Sequence, residues 1–101
     1  MQTKVGHQDR IILMAYFVYM LRCKDGSLYV GYTTDVRKRL AAHNTSKRGA
    51  RYTKSRRPVA LVYSEKYRTL SKALRREAEI KSWTRKEKLK LVSKKRSTLS
   101  A

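Results

Sequence analysis

Apolar and polar positions alternate in two short blocks near the start of the chain, residues 15–23 (AYFVYMLRC) and 27–33 (SLYVGYT). That period of two is the mark of strands with a packed face. Between the blocks lies Lys24-Asp25-Gly26, and Asp-Gly between apolar segments is a strong hairpin signal. Two registers are open. With Asp25-Gly26 as a two-residue loop, Lys24 faces Ser27, Arg22 faces Tyr29, and Tyr19 and Tyr29 point to opposite faces. With Lys24-Asp25 as a type I turn and Gly26 as a one-residue bulge, Cys23 faces Ser27, Leu21 faces Tyr29 and Tyr19 faces Gly31. Only the second register puts both phenols on one face, and it is the register expected.

The pattern then changes to helical spacing. Thr34 or Asp35 offers an N-cap for a helix to about Asn44, with Val36 and Leu40 as its inner stripe and Arg39 and His43 together on one face beside it. From Thr45 to Arg57 no apolar period survives. The segment carries Lys47, Arg48, Arg51, Lys54, Arg56 and Arg57 without a carboxylate, and reads as a basic loop. After Pro58, the run Val59 to Ser64 has the length and composition of a buried strand. Thr69 caps a second helix whose stripe is Leu70, Ala73, Leu74, position 77 and Ile80 or Lys81. Thr84-Arg85-Lys86-Glu87 is a capping box opening a third helix with Leu89, Leu91 and Val92, and Trp83 anchors the junction between the two.

This order, ββαβαα, predicts an α+β domain: a small three-stranded antiparallel sheet flanked by helices. Residues 15–92 form the domain. Residues 1–14 read as an N-terminal extension or, since Met14 stands directly before the first strand, as the result of an early start assignment, and residues 93–101 as a loose basic tail.

Composition narrows the partners. At 101 residues there is room for one modest core. Lys+Arg 26 against Asp+Glu 7 gives a formal charge of +19, and a charge so far from zero points to a polyanion, nucleic acid first. No apolar run nears the roughly 18 residues needed to cross a bilayer, so no membrane is expected. The opening residues lack a signal peptide's apolar region, and the single cysteine, Cys23, makes neither a disulfide nor a Cys-x-x-Cys metal site. The expected compartment is the cytoplasm.

Position 77 is a glutamate inside an apolar stripe, where a carboxylate costs desolvation unless it is paired or metal-bound. Arg76 or Lys81 is a candidate partner. Glu79, on another face, is placed to pair with Arg75 at i,i+4. Tyr19, Tyr29, Arg39 and Glu77 thus stand out on separate grounds.

Together these residues resemble the GIY-YIG nucleases. The two tripeptides of that name are matched by Phe17-Val18-Tyr19 and Tyr29-Val30-Gly31, the helix arginine by Arg39, a histidine one turn on by His43, and the metal-binding glutamate by Glu77. The likeness runs from Ala15 to about Val92 and is strongest to the small single-domain bacterial branch. Phe17 stands where the name has glycine, a change expected to alter packing more than chemistry.

The resemblance implies a metal-dependent endonuclease acting on DNA, with branched or flapped forms as candidate substrates. Glu77 would hold Mg2+ or Mn2+, since one carboxylate with waters and phosphate suits a hard cation. Arg39 would hold the scissile phosphate. Tyr19 would be the base and Tyr29 a supporting donor, roles the two could exchange. A free tyrosine titrates near 10, and Arg39 with the metal is expected to bring Tyr19 lower. His43 joins the set, with Asn44 and Thr53 shaping it. Lys47, Arg48, Arg51, Lys54, Arg56 and Arg57 would grip the DNA backbone without reading sequence. The rival is a module of the same fold that binds DNA or RNA and does not cleave. A domain with so few specificity elements is also a candidate for help from a protein partner.

Overall fold

The computed structural model of the chain describes residues 15–45 and 51–100, with side chains as far as Lys94. Strands β1 (Tyr16–Arg22), β2 (Leu28–Thr33) and β3 (Ala60–Tyr67) form an antiparallel sheet in the order β2-β1-β3. Helices α1 (Val36–Thr45) and α2 (Arg51–Lys54) lie between β2 and β3, and α3 (Leu70–Lys81) and α4 (Arg85–Ser100) follow β3. The expected α+β architecture is the one observed, with α2 added.

The central strand explains its own composition. Val18, Tyr19, Met20 and Leu21 are all buried, whichever way they point, because β1 is paired on both sides and covered on both faces. Val18 and Met20 join Val30 against Ala73, Ile80 and Val92 of α3 and α4. Tyr19, Leu21 and Cys23 pack with Val59, Tyr29 and Leu40 on the opposite face. The short apolar run after Pro58 is instead an edge strand, half-buried along most of its length, and it continues three residues past Ser64 to Tyr67. An apolar run of this length fits a central or an edge strand equally, so its pairing had to come from the rest of the sheet.

The hairpin has the bulged register. Tyr19 pairs with Gly31 and Leu21 with Tyr29, while the Cys23 amide donates to the Ser27 carbonyl at 2.9 Å. Gly26 takes φ +85°, the left-handed conformation that the bulge requires and that glycine adopts without strain. Both layers hold the turn: the Lys24 amide donates to the Arg56 carbonyl at 2.9 Å, and Arg85 to the Gly26 carbonyl at 2.7 Å.

Helix starts follow their local signals. The Asp35 carboxylate accepts from the Lys38 amide at 3.0 Å, the Thr69 hydroxyl from Lys72 at 3.2 Å, and Thr84 and Glu87 exchange the two bonds of a capping box. Stripes are narrower than their spacing implied: Ala73 and Ile80 are buried, but Leu70, Leu74 and Leu89 lie on the exposed side. Trp83 packs against the core at the α3–α4 junction, with the Arg76 guanidinium over its ring. The backbone of α4 runs to Ser100, so the segment expected to be a loose tail is helical; its lysines and arginines are good helix formers without an apolar stripe. The extension at residues 1–14 lies outside the described residues.

Glu65 clamps β3 to α3. It accepts from both nitrogens of the Arg76 fork at 2.9 Å and from the Tyr63 and Tyr67 hydroxyls. Burial alone would raise its carboxyl, but Arg76 and the phenols outweigh it and hold the group below the usual range. Glu79 pairs with this same Arg76 at 2.9 Å and not with the expected Arg75, because Glu65 has drawn Arg76 to the helix face they share. Glu65→Ala is expected to cost about 2–3 kcal/mol, since it removes the acceptor shared by a half-buried guanidinium and two phenols. Urea unfolding measures this, and a loss under about 0.5 kcal/mol, the size of an ordinary surface substitution, would contradict the clamp.

Candidate active site

The face of the sheet that carries Tyr19 is a layer of rings. Tyr19 and Tyr29 project side by side with centroids 6.3 Å apart, and His43 of α1 stands edge-on to both, at 5.8 and 4.9 Å. The register makes room: a Cβ on Gly31 would sit 2.7 Å from the Tyr19 hydroxyl and 3.0 Å from the Tyr29 ring. Glycine at this position is therefore set by contact with the phenol, not by backbone conformation.

His43 is fully buried, with both ring nitrogens engaged. Nε2 lies 2.8 Å from the Tyr19 hydroxyl and Nδ1 2.8 Å from Thr53 Oγ1. A neutral imidazole has one N–H, so it donates at one nitrogen and accepts at the other. With the Tyr19 hydroxyl donating to Nε2, Nδ1–H donates to Thr53. Burial, helped by the charges of Arg39 and Arg57, pushes the His43 pKa down to about 4 and keeps the ring neutral.

Stability must then depend on pH with a definite sign. Below its ordinary value of 6.5 the unfolded histidine takes up a proton that the folded one refuses. Stability is complete above pH 6.5 and declines as pH falls towards 4, by on the order of 3 kcal/mol. Glu65 and Asp25, whose carboxyls are held low, lose their contributions only at and below their ordinary values of 4.5 and 3.8. The slope between pH 6.5 and 4.5 thus belongs to His43. Unfolding measured across that window should slope in the parent chain and be flatter in His43→Gln; equal slopes would contradict the assignment.

Burial also governs Tyr19. It pushes the phenol up to about 12, against the lowering effect of a hydrogen bond from Arg39, while neighbouring Tyr29 and the charge of Glu77 add to the rise. The expected lowering by Arg39 is present but is outweighed: Tyr19 is 2% exposed, and one cation does not replace the lost water.

Glu77 is nearly buried, and its Oε2 lies 3.1 Å from Lys81 Nζ, one of the two partners weighed from the sequence. Lys81 is half-exposed and able to swing into solvent. Among the described residues no three His, Cys, Asp or Glu side chains converge as a ready-made cage. The donor set is a single hard carboxylate, near enough to Tyr19 for its charge to act on the phenol. It fits a cation that keeps most of its waters and takes oxygens from a phosphate.

The basic segment divides. Arg51 and Lys54 are exposed on α2, whereas Lys47 and Arg48 lie outside the described residues. Arg56 and Arg57 bind the protein itself. Arg56 reaches Asp25 at 3.0 Å, donates to the Tyr52 carbonyl at 2.8 Å and lies 4.0 Å from the Tyr52 ring centroid. Arg57 donates to the His43 and Ala42 carbonyls at the end of α1. Asn44 ties the same end to Val59, donating to its carbonyl at 3.0 Å and accepting from its amide at 2.8 Å. The expected loop thus contains a helical turn whose Thr53 is fully buried under His43. Tyr52, not singled out from the sequence, extends the layer of rings, with its centroid 6.0 Å from that of Tyr29. A tyrosine amid six cations was the available signal.

Comparison with known proteins shows the family of the chain. Residues 15–90 match the model of the GIY-YIG catalytic domain. A UPF0213 protein of Staphylococcus epidermidis is 58% identical over 77 residues, which are 76% of this chain and 93% of that one. One from Staphylococcus haemolyticus is 54% identical over 80 residues, covering 79% and 96%. Among solved structures, the solution NMR structure of a UPF0213 protein from Bacillus halodurans aligns with TM-score 0.52 at 46% identity, and that of a protein from E. faecalis with 0.55 at 41%. Each alignment covers 79% of this chain and 84% of the other.

Proposed function

Because the chain belongs to the GIY-YIG family, we propose that it is a metal-dependent endonuclease that hydrolyses DNA phosphodiester bonds and selects DNA by its structure. One observation carries this reading. The Tyr19 phenol is bonded to a neutral histidine, hydrogen-bonded by Arg39, and close enough to Glu77 to feel its charge. A binding surface has no need to sequester a phenol and a carboxylate in this way.

In this reading Tyr19 takes a proton from the attacking water as its own passes to His43 Nε2, with Thr53 holding the imidazole in orientation. The isolated site resists that transfer, because burial favours the phenol and the neutral imidazole. Arg39 opposes this at Tyr19, where its charge favours the phenolate, while the same charge keeps His43 neutral, and its planar fork neutralises charge building on the phosphate oxygens. Tyr29 supports as a hydrogen-bond donor. Glu77 holds Mg2+ or Mn2+, which when bound supplies further positive charge at the phosphate and assists the leaving oxygen. Arg51 and Lys54, with Lys47 and Arg48, supply salt-dependent affinity for the backbone.

The test is Mg2+-dependent cleavage of plasmid, single-stranded and branched DNA. Arg39→Ala is expected to slow cleavage about 10²–10³-fold, the usual cost of losing one preorganised group at the developing charge. Retention of the parent rate would refute its role. Binding of all three DNAs with cleavage of none would favour the non-cleaving module.

A further inference from the structure

A cleft of about 520 Å³ opens on the Tyr19 face of the sheet, between β1, β3 and the first half of α1. Its walls are Phe17, Val36, Leu40 and Leu61, with Arg37 and Ser64 among its polar lining. We propose that this cleft receives an unpaired nucleobase of the bound strand, neighbouring the scissile phosphate, a proposal that rests on the nuclease reading of the Tyr19 site.

Three observations lead there. The first is continuity. Phe17 lies two residues before Tyr19 on the same face of β1, Ser64 is the residue paired with Tyr19 across β3, and Leu40 follows Arg39 and packs in the cluster that holds Tyr19. A strand whose phosphate meets Arg39 and Tyr19 therefore has the cleft beside it. The second is charge. Arg37 and Asp35 both stand at the cleft, but the Asp35 carboxylate is engaged by the Lys38 amide as a helix cap. The helix also carries Lys38 and Arg39 in a chain of net charge +19, so the occupant should be apolar and flat but flanked by anions.

The third is composition. The only phenylalanine of the chain stands here, at the position where the family's tripeptide name has glycine, and Leu61, which lines the same cleft from β3, stays 39% exposed. An open apolar wall is a cost on so basic a surface unless something covers it. A ring held between one aromatic and several aliphatic side chains, with its backbone on arginines, is how unpaired bases are bound. The volume lies within the roughly 300–1,000 Å³ of small-ligand pockets. A paired base must first leave its stack, so the cleft favours DNA that already offers a loose base: a flap, a junction or a single strand.

The experiment is an abasic scan. Labelled oligonucleotides, each lacking one base, are titrated by fluorescence anisotropy against the full chain, Phe17→Ala and Leu61→Ser. For the parent chain, base removal at one or two positions should weaken binding about tenfold, within the range for one stacked base. In both variants that penalty should largely disappear. A penalty of the same size in all three proteins overturns the proposal, as does a flat scan in the parent. Should Phe17→Ala fail to fold, Leu61→Ser, altered on an exposed rim, still decides. Cleavage is measured in parallel. Cleavage with a flat scan removes the base site and leaves the nuclease reading standing. A position-specific penalty coupled to Phe17, in a chain that never cleaves, supports the base site while the nuclease reading falls.

Discussion

Glu77→Gln should reduce Mg2+-dependent cleavage about a thousandfold, equivalent to roughly 4 kcal/mol of barrier, while the fold persists. Glutamine keeps the shape of the side chain but gives up the charge that would hold a divalent cation. Little else in the protein depends on that charge, because its ion pair is with Lys81, a half-exposed neighbour on the same helix. The thermal midpoint should therefore stay within a few degrees of the parent's. Two measurements separate this result from simple damage. Mn2+ binding, followed by the ion's paramagnetic resonance, should be lost in step with cleavage, and DNA affinity without metal should stay level or rise as a negative charge leaves the site. Cleavage by Glu77→Gln at the parent rate would remove the glutamate from the mechanism.

Tyr19→Phe should have the second large effect, a fall in cleavage of about 10²–10⁴-fold, the usual worth of a positioned acid–base group. The ring remains and continues to pack with Leu21, Tyr29 and Leu40, so the core is kept. What goes is the hydroxyl, leaving Nε2 of a fully buried histidine without its 2.8 Å partner. The expected stability cost is about 1–3 kcal/mol, that of an orphaned buried polar atom. Tyr29→Phe should be milder on both counts, since Tyr29 is less buried. If Tyr29→Phe proved the more damaging to cleavage, the two phenols would have to exchange roles.

The parts of the fold legible along the chain are those held together by neighbours. Asp35, Thr69 and the Thr84–Glu87 pair cap helices through hydrogen bonds within three residues, and all three starts fall where those residues stand. The hairpin register follows from one glycine able to take a positive φ. It also brings Tyr19 over Gly31, and that close approach gives the second glycine of the hairpin its purpose.

Legibility ends where a partner comes from far away. Glu79 was expected to pair with Arg75 by helical spacing, yet it pairs with Arg76, because Glu65 on another element fixes which arginine lies within reach. The basic segment reads as a loop whose cations grip DNA, but Thr53 is fully buried in it and Arg57 is spent on the carbonyls of α1. A count of charges does not reveal which of them the chain uses on itself.

The sequence by itself determined the order of the strands and of the helices other than α2 and the strongly basic composition, and it named Tyr19, Tyr29, Arg39, His43 and Glu77 as candidates. Each is written in nearby residues or in a motif read in order. Only the tertiary structure decided that the Tyr19 phenol meets His43, that His43 rests on Thr53, and that burial outweighs Arg39 in setting the acidity of the phenol. Desolvation depends on what several distant segments jointly exclude from water, and no local pattern carries that information.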